Sequence, residues 1–313
     1  MAGHTHHGHG HVHVHTLSSS DHLNRAFRLG ILLNLVFVVV EFAAGLWLSS
    51  MALISDAGHN LSDVVGLVLA LLAFRLMRLR PNARYTYGYK KSTVLVSLLN
   101  ACILLVAVGM ILVSSIQKLQ HPEPIQGGIV AWVAGIGIVV NAFTAWLFMK
   151  DKDRDLNVKG AYLHMAADAL VSVGVLVSGL VIRATGWNVI DPVIGIVIAG
   201  VILVSTAKLL HASLRLSLDG VPEGIDPETV CQAMREADPG VMDVHHVHIW
   251  ALSTTENALT AHVRVADWQT ASSIKRKIKQ CLESFHIQHA TLEMETSEET
   301  CSNGACDCHH QEK

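Results

Sequence analysis

Long apolar runs separated by short polar connections fill the first two thirds of the chain. They predict six helices able to cross a bilayer: Phe27 to Leu48, Ala52 to Leu76, Thr93 to Ile116, Gly127 to Phe148, Val158 to Ile182 and Val189 to Leu210. Pro192, at the start of the last run, is the one proline inside them. Beyond Gly220 the pattern shortens. Glu228 to Glu236 reads as helix, Met242 to Leu252 as strand, Ala258 to Ala266 alternates like a half-buried strand, Ile274 to Phe285 is an amphipathic helix with a basic face, and Ala290 to Met294 is a last strand. The order αββαβ is that of a small two-layer α+β unit. The predicted fold class is a membrane all-α six-helix bundle followed by a small cytosolic α+β domain. Its divisions are a His-rich disordered arm over 1–24, a membrane domain over 25–215, the αββαβ domain over 220–296 and a Cys/His-rich tail over 297–313.

Two of the apolar runs carry side chains that do not belong in lipid. The second holds His59 and Asp63, and the fifth holds His164 and Asp168. A charged group at that depth costs about 2.5–3.5 kcal/mol even on lenient insertion scales, so it needs a partner, a wet cavity or a task. Residues four apart lie on one helix face about 6 Å along the axis, so each pair points one way. Two imidazoles and two carboxylates meeting between two helices make an N/O site suited to a divalent metal, zinc first.

Composition sharpens this picture. The chain has 313 residues, 51% hydrophobic and 16% charged, with mean hydropathy +0.40, which marks an integral membrane protein with a soluble part. A net charge of -3 gives no reason to expect nucleic acid. The 20 histidines stand out against 4 tyrosines, and imidazole is the commonest metal-ligating side chain. Basic residues set the orientation: Arg75, Arg78, Arg80, Arg84, Lys90 and Lys91 follow the second run, Lys150, Lys152, Arg154 and Lys159 surround the fourth-to-fifth connection, and Lys208 and Arg215 close the sixth. By the positive-inside rule both termini are cytoplasmic.

The leader carries His4, His6, His7, His9, His11, His13 and His15, spaced by other residues rather than run together as in an expression tag. It reads as a disordered arm that holds metal loosely. No cleaved secretory signal is expected ahead of the first apolar run. Cytosolic placement makes Cys231, Cys281, Cys301, Cys306 and Cys308 thiols, and Cys102 is expected to be buried in the third run. Cys301, Cys306 and Cys308 with His309 and His310 form a soft-ligand cluster whose spacing is not that of a folded zinc finger.

In the αββαβ domain His245, His246, His248, His262, His286 and His289 are concentrated. Strand alternation places His246 and His248 on one side and His245 on the other. Asn34, Asn60, Asn100 and Asn141 are expected to hydrogen-bond between membrane helices, and Gly135, Gly174, Gly195 and Gly200, among other glycines, to permit close helix contact. Glu41 lies either near the outer interface or along an exit route, and Asp56 either caps the second helix or stands at the mouth of the pathway.

The motifs DAGHNLSD in the second run, HMAAD in the fifth and VHHVHIWAL in the soluble part, behind a His-rich leader, resemble the cation diffusion facilitator family, and most of all its zinc-exporting bacterial members of the ZitB and CzcD type. The resemblance covers nearly all of the chain. It implies a homodimer in the bacterial inner membrane, a multi-pass plasma-membrane carrier with a transport site of His59, Asp63, His164 and Asp168, and exchange of cytosolic Zn²⁺, with Cd²⁺ as a further substrate, for protons. It also implies a metallochaperone-like cytosolic domain with regulatory zinc ligands at His245, His262 and His289, and Glu295 as a carboxylate candidate. Lys91 and Asp219 match positions that pair in a relative, although such residues are usually interfacial anchors. The loop ARYTYGYKK carries tyrosines where a further metal site would need histidines, so no metal is expected there.

Protons and zinc compete for the same groups, because zinc takes only neutral imidazole and ionised carboxylate. Histidine titrates near about pH 6.5, which brings that competition into the physiological range. The rival readings are a membrane-bound zinc sensor, for which replacing Asp63 leaves cellular zinc unchanged, and an intramembrane metallohydrolase. The second would want an HExxH pair with a glutamate base, and no run contains one, so the chain is not expected to be an enzyme.

Overall fold

The computed structural model describes residues 16–47, 51–120, 129–187 and 189–296. The expected His-rich arm over 1–15 and the tail with Cys301, Cys306 and Cys308 lie outside the described residues, as does the side chain of Asp56.

Among the described residues six long helices come first: α1 (Thr16–Trp47), α2 (Met51–Met77), α3 (Ser92–Gln120), α4 (Ile129–Met149), α5 (Leu156–Thr185) and α6 (Ile190–Ser217). Helix α1 begins well before its apolar run, so residues 16–24, expected as the end of the arm, are helical. Among the described residues three stretches are long and apolar enough to cross a membrane, Leu23–Trp47, Ser92–Gln120 and Pro192–Ser217, and α4 adds the shorter apolar run Gly135–Met149. Pro192 falls in the first turn of α6, where backbone N–H groups have no intrahelical acceptor, so the helix loses nothing. Val39, Val106, Val139, Val197 and Val201 are exposed on these helices, as lipid-facing side chains are.

Lipid tails give no hydrophobic drive for helix association, so contact comes from packing and polar bonds. Phe27 of α1 packs against Phe74 of α2 and Phe148 of α4, with ring centroids 5.6 Å and 4.7 Å away. A Cβ on Gly174 of α5 would sit 2.5 Å from Ile198 Cδ1 and 2.9 Å from Ile194 Cγ2 of α6, so any larger residue there makes these side chains shift. Gly135 and Gly200, expected in the same role, have nothing within 4 Å. Asn34 donates to Thr144 Oγ1 at 3.1 Å between α1 and α4, and Ser97 meets Ser213 at 2.8 Å between α3 and α6. Asn141 departs from expectation: its buried Oδ1 has no hydrogen-bond partner among the described residues. Cys102 is exposed rather than buried, because it falls on the outer face of α3.

The soluble part follows as α7 (Pro227–Glu236), β1 (Val241–Ala251), β2 (Asn257–Val265), a 3-10 turn, α8 (Ala271–Glu283) and β3 (Ile287–Glu295). Asp226 caps α7 by accepting from Thr229 N at 3.1 Å, with Pro227 in the first turn. The sheet order is β1-β2-β3, with β2 antiparallel to β1 and parallel to β3. Along β2, Leu259, Ala261, Val263 and Val265 enter a core with Val230, Met234, Ile274 and Ile278, which presents Thr260, His262 and Arg264 on the other face.

The two parts meet through the β1–β2 turn. Thr254 donates its hydroxyl to Asp155 and its backbone N–H to Thr93 Oγ1 of α3, the latter at 3.1 Å. Asp155 in turn caps α5, accepting from Asn157 N at 2.7 Å and Val158 N at 3.2 Å. Burial pushes the Asp155 carboxyl above the usual carboxylate range, against the pull of these hydrogen bonds. Lys90 pairs with Glu256, and Lys91 donates to Asp219 Oδ1 at 2.5 Å, Leu216 O at 2.8 Å and Ala251 O at 3.1 Å. Lys91 is therefore a crosslink between α3, α6 and β1 rather than an interfacial anchor.

Candidate metal centres

Helices α2 and α5 touch within the membrane part, and their ligand-type side chains meet there. His164 Nε2 is bonded to Asp63 Oδ1 and lies 3.8 Å from Asp168 Oδ2. One ligand atom from each of the three falls within 4.8 Å of the others. Donors bound about 2 Å from one zinc ion stand roughly 3–3.5 Å apart, so a small closure gathers them on a common ion. Asp63 is fully enclosed, while the side chains of His164 and Asp168 keep 13% and 14% of their exposure. His59 precedes Asp63 by one helical turn, and its side chain lies outside the described ones.

Beside this group is a cavity of about 20 Å³ lined by Asp63, Gly66, Asn100, Ile103, Gly160 and His164, room for about one water molecule. Asn100 Oδ1 is buried there without a hydrogen-bond partner among the described residues, and the position of a Cβ on Gly66 lies 3.7 Å from it. Asn100 was expected to join helices; instead its oxygen faces α2 beside the cluster. An asparagine carries no charge, so nothing in its local pattern separates the two roles.

A second group forms on the open face of the sheet. His262 Nδ1 lies 2.6 Å from Glu295 Oε1, His245 Nε2 lies 3.3 Å from Glu295 Oε2, and the three residues again offer ligand atoms within 4.8 Å. His245 also holds Asp243 Oδ2 at 3.1 Å through Nδ1, which leaves Nε2 as the free ligand atom. Simple alternation fails along β1. The β1–β2 register shifts between His245 and His248, and His246 takes a left-handed φ of 52°. This bulge turns His245 and His246 alike toward His262, with ring centroids 5.5 Å and 4.9 Å from it. Burial, aided by the neighbouring imidazoles, holds His246 below the usual histidine range. His289 is not in this group; it pairs with Ala258 across the sheet, and its ring stands edge-on to Tyr87 at 5.3 Å.

Residues 27–216 match the model of the cation efflux transmembrane domain. The chain belongs to the cation efflux family. Residues 222–297 match the cytoplasmic domain of cation efflux proteins, so the described soluble part is that domain. Among relatives of this cation efflux protein, the cadmium, cobalt and zinc/H(+)-K(+) antiporter of Bacillus subtilis is 35% identical over 83% of this chain and 85% of its own length. The zinc transporter ZitB of Escherichia coli is 34% identical over 83% of each chain. The metal cation efflux system protein CzcD of Cupriavidus metallidurans is 34% identical over 87% of this chain and 86% of its own. The resemblance read from DAGHNLSD, HMAAD and VHHVHIWAL is borne out. Cation efflux proteins are transporters, not enzymes.

Proposed function

We propose that this protein exports Zn²⁺, and Cd²⁺ with it, from the cytosol across the plasma membrane in exchange for protons. The observation that carries the reading is the buried meeting of Asp63, His164 and Asp168 between α2 and α5. His59 completes the transport site as the fourth ligand. In this reading all six helices α1–α6 cross the bilayer of a bacterial inner membrane, and both termini are cytosolic, as the basic connections direct. The protein works as a homodimer held by its cytoplasmic domains.

Zinc loads from the cytosol onto neutral imidazole and ionised carboxylate. When the helices rock outward, protons from the other side occupy His59 or His164 and Asp63 or Asp168, and the ion leaves. The direct bond between His164 and Asp63 is what an ion must replace on loading. Asn100 Oδ1 accepts a hydrogen bond from water carried on the ion, which satisfies an otherwise orphaned oxygen. Zinc at His245, His262 and Glu295 is regulatory, sensing cytosolic supply through strands joined to α3 and α5 at Thr254. The terminal histidines and Cys301, Cys306 and Cys308 collect metal for it.

The test is zinc flux in sealed proteoliposomes under an imposed proton gradient, comparing the parent chain with Asp168→Ala. Flux that follows the gradient and vanishes in the variant is expected; equal flux in both removes these residues from the mechanism.

A further inference from the structure

A cavity of about 580 Å³ opens where the cytoplasmic ends of α5 and α6 meet the β1–β2 turn. Its walls are of two kinds. Leu156, Ala212 and Leu216 make an apolar side continuous with the helix bundle, and Lys152, Lys159 and Arg215 bring cations from the α4–α5 connection, α5 and α6. Hydroxyls of Ser253, Thr254 and Thr255 close the far side.

The charges here are not used up by the fold. Arg215 Nε is buried and has no hydrogen-bond partner among the described residues, and neither Arg215 nor Lys159 has an ion-pair partner among them. A buried guanidinium nitrogen left without an acceptor is costly, so it calls for an anion or water. Lys152 lines the cavity as well, but its ammonium lies 4.4 Å from the Tyr162 ring, so Arg215 and Lys159 are the cations left to the cavity. Carboxylates also line the cavity, and their positions matter. Asp155 is buried and taken by Thr254 and the first turn of α5, whereas Asp153 and Glu223 are exposed. Arg154 is bound to Asp151 at 3.4 Å.

We propose that this cavity binds a phosphoryl anion through Arg215 and Lys159, at the boundary between the membrane and cytoplasmic domains. A phosphate oxygen suits the guanidinium edge and the ammonium together, and the Ser253–Thr255 hydroxyl pair keeps one hydrogen for a further oxygen, while the Thr254 hydroxyl stays on Asp155. The apolar wall admits the glycerol and upper acyl carbons of an anionic phospholipid, and basic pockets on the cytoplasmic side of membrane helices take such headgroups. Inorganic phosphate offers the same oxygens without the tail. Either ligand bridges α5 and α6 beneath the turn that carries Thr254, and so stiffens the joint between the two domains.

The experiment uses the full-length protein in a neutral detergent, titrated with short-chain phosphatidylglycerol, inorganic phosphate and the matching short-chain diacylglycerol, reading the thermal unfolding midpoint. Saturable stabilisation by phosphatidylglycerol but not by diacylglycerol is expected. The double variant Lys159→Gln, Arg215→Gln is expected to weaken apparent affinity roughly tenfold or more. Stabilisation by inorganic phosphate as well assigns the site to the free anion; its absence assigns the site to the lipid. No saturable effect of either ligand on the parent chain, or equal affinity in the variant, overturns the proposal. The single change Lys159→Gln, monodisperse on gel filtration, supplies the comparison if the double variant is misfolded.

Discussion

Asn60 of α2, the neighbour of His59, donates its side-chain amide to Glu41 Oε2 of α1 at 2.8 Å, and both side chains are buried. Glu41 is thus held inside the helix bundle by the helix that carries Asp63. Glu41→Ala strands the Asn60 amide and is expected to cost about 1–3 kcal/mol, with Glu41→Gln costing less. Unfolding midpoints in detergent, read beside zinc flux, check the order.

Asp63→Asn keeps the shape of the α2–α5 contact and removes a negative ligand. Zinc flux is expected to drop at least about a hundredfold while expression and dimer size on gel filtration are kept. Retained flux would leave His164 and Asp168 without a transport role.

Asn100→Leu replaces the orphaned oxygen with an apolar group of similar size. The protein is expected to be as stable as the parent or more so, because a buried unsatisfied acceptor is lost, yet to transport zinc about tenfold less well. Stability and flux moving in opposite directions is the signature; unchanged flux assigns Asn100 to packing.

Glu295→Gln, placed in an Asp63→Asn background so that only the cytoplasmic group is counted, is expected to weaken zinc binding at least about tenfold by calorimetry. His289→Ala in the same background is expected to change it little, since that ring lies against Tyr87.

Asp155 sets a pH dependence at the domain joint. Its carboxyl is held above the usual range, so the folded chain binds that proton more tightly than the unfolded chain. The contribution to stability is greatest in acid and declines as pH rises through the folded-state value. Asp155→Asn cannot ionise but still caps α5, so its unfolding midpoint is expected to fall less than the parent's between about pH 4 and about pH 7.

Much of this was legible in the sequence because bilayers and sheets impose strict periods. The apolar runs locate α1–α6 to within a few residues, apart from the start of α1 and the end of α6, which runs on past Leu210 to Ser217, and spacing of four aligns His164 with Asp168. What escaped depends on departures from period or on contacts distant in the chain. The bulge at His246 breaks the alternation that would have parted it from His245, and no local residue announces it. Asn100 and Asn34 look alike in sequence and both leave a buried side-chain oxygen without a partner among the described residues; only the neighbouring helices give the Asn34 amide Thr144 and place the Asn100 oxygen beside Asp63 and His164. The joint at Asp155 joins residues 99 apart, a distance at which no periodicity speaks.

Because β2 and β3 run parallel, α8 must cross over before β3 can be laid down beside its neighbour. His245 and His262 sit on an antiparallel hairpin that can close early, but Glu295 ends the last strand. A nascent polypeptide that has emerged only as far as α8 therefore carries the two imidazoles without the Glu295 carboxylate that lies between them. On the proposed regulatory reading, capture of an ion by all three reports that the chain has been made through β3.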